Sequence, residues 1–165
     1  MWDKYVENLD RILCEEFGSL KKEIDDKKVG VLFSAGVDSS LIAKFASDFG
    51  LNPVLYTFGT EKSKDREFVL KFAKDLKIPL VFHEVTRDEI EKNILLIKKE
   101  LEKIDIDPNP MEVALAVGVY LIGKKAKEDG TQVMLCGQGS DELFAGYKKY
   151  EGLSDKELAN HLRND

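Results

Sequence analysis

The chain has little of what staples or metallates a small domain. Among 165 residues there are two cysteines, two histidines, four prolines and one tryptophan. Cys14 and Cys136 stand far apart with no CxxC spacing, so neither a zinc site nor an iron–sulfur cluster can be built from them alone. Cys14 falls on an apolar helical face and is expected in the core. No apolar run approaches the roughly 20 residues that span a bilayer, and no signal-peptide pattern opens the chain. A cytoplasmic protein with no membrane partner is the expectation. Basic charge is also short: 25 Lys and Arg against 31 Asp and Glu give a net charge of −6, which disfavours nucleic acid as a general partner. Two common phosphate-loop patterns are missing as well. There is no G-x-x-x-x-G-K-S/T, which argues against a P-loop kinase or GTPase. There is no G-x-G-x-x-G after the first strand, which argues against a nicotinamide-binding Rossmann domain.

What is present is an ordinary globular composition, 43% apolar and 34% charged, in a length that suits one domain over residues 1–165. Apolar residues Trp2, Tyr5, Val6, Leu9, Ile12, Leu13, Phe17, Leu20 and Ile24 recur at helical spacing. Val29 to Phe33 reads as a buried strand, and Leu41 to Phe49 as a helix ended by Gly50. Pro53 to Phe58 is a second strand, Lys64 to Leu76 a helix, and Leu80 to Val85 a third strand. Thr86 and Glu89 make a capping-box pattern that opens a helix with Ile90, Ile94, Ile97 and Leu101 facing inward. Asp105 to Pro108 reads as a turn. Asn109, Pro110 and Glu112 then start a helix to about Lys127 that is apolar on most faces from Val113 to Ile122 and is expected to be buried. Gly130 ends it. Val133 to Cys136 is a fourth strand, a helix is expected to reach about Tyr150, and Ser154 caps a last polar helix. Strands alternating with helices, and near-continuous apolar strands, predict an α/β fold: a parallel sheet with helices on both faces. No internal repeat or second domain is visible.

Two glycine-rich segments stand at strand ends, on the edge where such sheets bind ligands. The first is Ser34-Ala35-Gly36-Val37-Asp38-Ser39-Ser40. The second runs from Gly137 to Tyr147: Gly-Gln-Gly-Ser-Asp-Glu-Leu-Phe-Ala-Gly-Tyr. Each precedes a helical pattern, so helix N-terminal N–H groups point outward, as an anion requires. Small Ala35 and Gly36 let backbone approach a polyphosphate, and Ser34, Ser39 and Ser40 add hydroxyls. Asp38 and Asp141 would repel phosphate directly. They make sense with a cation between them and the anion, and the expected ligand is a nucleoside triphosphate with Mg2+. The competing reading is a pair of serine and glycine helix caps without a ligand.

Ser34 to Ser40 resembles the SGGxDS loop of the ATP pyrophosphatase superfamily, whose members cleave ATP to AMP and pyrophosphate while adenylating a substrate oxygen. Gly137 to Tyr147 resembles the SGEGSDExFGGY stretch of the synthetase domain of asparagine synthetases and names the branch. The resemblance covers roughly residues 3 to 150. It implies an adenine nucleotide alpha hydrolase-like, Rossmann-like three-layer sandwich that uses ATP and Mg2+. By the resemblance, Ser34, Ala35, Gly36, Ser39 and Ser40 hold the ATP phosphates, with Gly139 and Ser140 beside them. Asp38 and Asp141 bind Mg2+ and serve the chemistry. Phe33 and Phe58 approach adenosine through backbone groups, and Cys136 and Gly137 touch the nucleotide. Gln138 takes the place of a glutamate that is catalytic in many relatives.

Several departures qualify the likeness. Ala35 replaces the first glycine of SGG and is tolerable if its dihedral is not left-handed. Gln138 keeps hydrogen bonds but carries no charge and cannot act as acid or base. Residue 2 is Trp2, not the cysteine of a glutaminase domain, so no glutaminase activity is expected and a separate glutaminase subunit is compatible. The RxPFLD-like run and the lysine that follow in the family do not appear before Asp165. Ala114 to Gly118 are apolar where bacterial relatives bind aspartate, which makes the small-molecule acceptor an open question. Two function classes follow. One is an AMP-forming carbon–nitrogen ligase or amide synthetase component. The other is a non-catalytic adenine-nucleotide-binding module or subunit of a larger complex. A homo-oligomer is compatible with either.

Overall fold

A computed structural model describes residues 2–103 and 109–164. The described residues form a parallel sheet of β1 (Val29–Leu32), β2 (Val54–Gly59), β3 (Leu80–Glu84) and β4 (Val133–Leu135), in the order β3-β2-β1-β4. β1 and the middle of β2 are buried because both faces are covered, while β3 ends in the polar pair His83 and Glu84. Val29, Val31, Phe33 and Leu55 point to one side. They pack there on α1 (Trp2–Glu23), α2 (Val37–Asp48) and α3 (Arg66–Leu76) through Phe17, Ile24, Ala43, Ala46, Val69 and Ala73. Leu32, Val54, Tyr56, Phe58 and Val81 point to the other side. They meet α4 (Arg87–Glu102) through Ile97 and α5 (Pro110–Glu128) through Val117, Ile122 and Ala126. The result is the three-layer parallel α/β fold expected from the sequence. Gly30 makes room for this packing: a Cβ there would lie 2.8 Å from the Met134 sulfur and 3.1 Å from the Tyr56 ring.

The helix starts follow from their caps. Thr86 Oγ1 accepts from Glu89 N–H at 3.2 Å, and Thr86 N–H donates to Glu89 Oε2 at 2.8 Å, which completes the expected box. Asn109 Oδ1 accepts from the N–H groups of Met111 and Glu112, with Pro110 at the first helical position.

Four expectations need correction. α2 starts at Val37, not Leu41, so Asp38 and Ser39 belong to its first turn. The helix expected to reach about Tyr150 stops early: α6 covers only Ser140–Phe144, because Ala145 turns left-handed at φ 57°. A short 3-10 turn, Lys148–Tyr150, and α7 (Asp155–Asn164) follow. α5 is not buried on most faces. Leu115 and Val119 are 60% and 41% exposed. On α1 burial is confined to the C-terminal half: Phe17 is buried, as is Ile24 just past its end, Val6 and Ile12 are exposed, and Cys14 is half-buried rather than core. The turn expected at Asp105 to Pro108 lies outside the described residues.

Candidate nucleotide site

The strand order reverses between β1 and β4. A crevice opens there at the carboxyl ends of the strands, the place where parallel sheets of this kind take ligands. A cavity of about 450 Å³ lies over this edge. Both glycine-rich loops line it, through Ser34, Gly36, Asp38 and Ser39 on one side and Cys136, Gly137, Gln138 and Asp141 on the other. Phe33 and Phe58 border it as well. Ala35, Ser40, Gly139 and Ser140 belong to the same two loops but are not among the lining residues.

The first loop holds its own shape. Ser39 Oγ is nearly buried. It accepts from Ser34 N–H at 3.2 Å, exchanges a hydrogen bond with Ser34 Oγ at 3.1 Å and donates to Gly36 O at 3.2 Å. Gly36 N–H donates to Ser34 Oγ at 3.3 Å. These serine hydroxyls, expected as donors to phosphate, are therefore spent first on the loop. Gly36 precedes α2 without a side-chain cap, so the N–H groups of the first turn are left for a ligand or water. The buried Ser40 Oγ has no hydrogen-bond partner among the described residues. Ala35 does adopt the left-handed region, φ 59°, against the condition under which its methyl group was expected to be harmless. The loop's conformation suits the glycine of SGG, and an alanine there costs roughly 1 kcal/mol.

The second loop is closed by Ser140 Oγ, which donates to Gly137 O at 2.9 Å, and by Gly139 at φ 96°. Two glycines let it approach its neighbours. A Cβ on Gly137 would lie 2.8 Å from Asp38 Cβ and 3.0 Å from Ser39 N. A Cβ on Gly146 would lie 1.9 Å from Asp141 Oδ1. The loops thus abut at Gly137 and Asp38, and both aspartates border the same cavity. Ala145 is the second alanine at a left-handed position where SGEGSDExFGGY has glycine. Tyr147 donates to Glu142 Oε1 at 2.5 Å. That bond, then burial and the charges of Glu142 and Asp141, pushes the phenol up to about 12.

The lining carries Asp38, Asp65 and Asp141 against the single cation Arg66, an acidic balance. A polyphosphate would be repelled unless a cation came with it. Among the described residues no three His, Cys, Asp or Glu side chains form a metal-binding group. Two aspartates supply too few ligands for a divalent cation by themselves, so an ion held between them would take the rest from other oxygens.

Sequence reasoning missed the far end of the cavity. Thr57, Ser63, Asp65, Arg66, Val69, Phe82, Leu115 and Val119 also line it. Ser63 to Arg66 could have been found from their place after β2, on the same edge as the loops. Leu115 falls in the Ala114 to Gly118 stretch noted above at the place of the relatives' aspartate-binding positions, and Val119 carried no signal apart from apolar character, which read as core. Gly118 lets the Phe58 ring lie against α5, where a Cβ would come within 2.1 Å of it.

The sheet order, the three layers and the crevice at the order reversal define a doubly wound parallel α/β domain. Solved structures agree on the fold. The NH3-dependent NAD synthetase of Campylobacter jejuni superposes with a TM-score of 0.56 at 18% identity, over 99% of this chain and 73% of that one. The NMN synthetase of Francisella tularensis gives 0.57 at 12% identity, over 95% and 70%. In sequence, the asparagine synthase family matches residues 20–164, and the chain belongs to that family. The protein provisionally named glutamine-hydrolyzing asparagine synthetase 1 of Methanocaldococcus jannaschii is 35% identical over 99% of the chain. Glutamine-hydrolyzing asparagine synthetase 1 of Bacillus subtilis is 32% identical over 76%. The chain spans 30% of the first relative's length and 19% of the second's.

Proposed function

We propose that the chain binds ATP with Mg2+ across the ends of β1 and β4 and is the ATP-handling part of an AMP-forming amide synthetase. The observation that carries this reading is the contact of Gly137 with Asp38, which brings two aspartates from two strand ends to one cavity. The first turn of α2 and the backbone of Gly36 receive the phosphates. Asp38 and Asp141 hold Mg2+, which neutralises phosphate charge when bound. An acceptor carboxylate oxygen attacks the α-phosphorus. The bond from that phosphorus to the bridging oxygen breaks, and pyrophosphate leaves onto the backbone donors of the first loop. Ammonia or another nucleophile then displaces AMP from the acyl group.

A second reading, nucleotide binding without turnover, is favoured by one residue. Gln138 borders the cavity where many relatives have glutamate, and an amide moves no proton. Calorimetry separates both readings from a ligand-free cap. Wild type should bind ATP in the presence of Mg2+, and Asp38→Ala and Asp141→Ala should each weaken it by about tenfold or more. Equal affinity in all three proteins, with and without Mg2+, would refute the metal assignment. AMP and pyrophosphate production with a panel of acids then decides between enzyme and binding module.

A further inference from the structure

The cavity has an end that the two glycine-rich loops do not explain. β3 lies two strands from β1, about 10 Å away at a spacing of about 4.8 Å per strand. That matches the reach of a nucleotide from its phosphates to its base. The lining at that end includes Phe58, Phe82, Val69 and Leu115, apolar surface fit for a flat heterocycle, with the polar Thr57, Ser63 and Asp65 beside it. Within it stands one cation. Arg66, the first residue of α3, places its guanidinium carbon 4.8 Å from the centre of the Phe82 ring, and its Nη1 donates to Glu84 Oε2 at 2.9 Å.

We propose that Arg66 is the base-positioning residue of this site, its guanidinium plane stacking on the purine. The inference rests on the cavity being a nucleotide site. A guanidinium is planar and weakly hydrated, and stacks on aromatic faces as a lysine ammonium does not. Phe82 and Glu84 fix its position, so little side-chain freedom remains to be lost on binding. Glu84 also offsets its charge, so Arg66 is not set up as a phosphate clamp, and the phosphate-binding backbone lies at the other end. The Arg66–Glu84 pair is itself half-exposed and adds little to folding. Substitution should therefore read out on the ligand and not on the fold.

The test uses the full chain, with ATP, adenosine and tripolyphosphate as separate probes and Mg2+ present throughout. ATP and tripolyphosphate are followed by calorimetry, adenosine by NMR shift titration. Arg66→Ala and Arg66→Lys should each weaken ATP and adenosine by the same factor, about five- to tenfold, and leave tripolyphosphate unchanged. Thermal midpoints of all variants, compared with wild type, confirm folding. ATP affinity unchanged in Arg66→Ala, with Asp38→Ala still defective, overturns the role of Arg66 and leaves the nucleotide site standing. Loss of tripolyphosphate binding with adenosine unaffected makes Arg66 a phosphate contact and overturns the proposal. Failure of the wild type to bind ATP overturns the site reading and this inference together.

Discussion

Gly137 packs its α-carbon against Asp38 so closely that an added methyl group would sit 2.8 Å from Asp38 Cβ and 3.0 Å from the Ser39 amide. One glycine thus sets the distance between the two loops. Gly137→Ala should force them apart, at a cost of about 1–3 kcal/mol in stability and about tenfold or more in ATP affinity. Gly123→Ala is the control. Gly123 lies inside α5 with open space where its Cβ would be, so that change should stabilise by about 0.5–1 kcal/mol and leave binding alone. Urea titration and calorimetry on both variants check the pair. Unchanged ATP affinity in a folded Gly137→Ala protein would mean that the loops do not act as one site.

Ala35 and Ala145 both occupy left-handed backbone, one in each loop, at positions where the related motifs carry glycine. Relief of the methyl–carbonyl contact is worth about 1 kcal/mol per site, less what glycine adds to the entropy of the unfolded chain. Ala35→Gly and Ala145→Gly should each raise the thermal midpoint, by about 2–4 °C if the full 1 kcal/mol is realised. A lowered midpoint for both would show that the neighbouring packing, not the dihedral, decides.

The period of the apolar residues carried the fold because each buried strand and each helix face repeats in its own register. Val31 and Tyr56, on opposite faces of neighbouring strands, are both fully buried as a doubly covered sheet demands. The phosphate end of the site was legible for a different reason. Gly36, Gly137 and the two aspartates are residue types that backbone approach and cation binding require. The break at Ala145 was not legible, since alanine favours helix and gives no local sign of a left-handed turn. The exposed sides of α5 and α1 were missed because apolar periodicity tells which residues are alike, not what covers them. Leu115 looks like Val117 in sequence, and only the cavity separates them.

Tyr147 is held protonated by its hydrogen bond to Glu142, with its ionisation pushed up to about 12 from an ordinary value near 10. The sign follows from linkage. A group whose folded value is raised lends stability that is complete below the unfolded value and lost as pH rises through the folded one. Stability should therefore fall between pH 10 and about 12 in wild type, and this component should be missing in Tyr147→Phe. Absorbance titration of tyrosinate should show a phenol ionising near pH 12 that the variant lacks. If the amplitude lost in the variant falls near pH 10 instead of near pH 12, the short contact with Glu142 does not form in solution.

Cys136 offers a probe of the site that needs no turnover. It is an exposed thiol at the end of β4, it lines the cavity, and it stands next to Gly137. Cys14, on α1, is half-buried and on the far side of the sheet from α5. Reactivity follows thiolate character and access, so an alkylating reagent should modify Cys136 first. A nucleotide seated against the second loop would cover that sulfur. Saturating ATP with Mg2+ should then slow modification of Cys136 by about tenfold or more and leave Cys14 unaffected. Peptide mapping after timed iodoacetamide treatment separates the two thiols. Adding Asp141→Ala makes the test sharper: protection should weaken in that variant at the same ATP concentration. Equal rates at Cys136 with and without ATP, in a protein that calorimetry shows to be saturated, would place the nucleotide away from β4 and overturn the reading of the second loop.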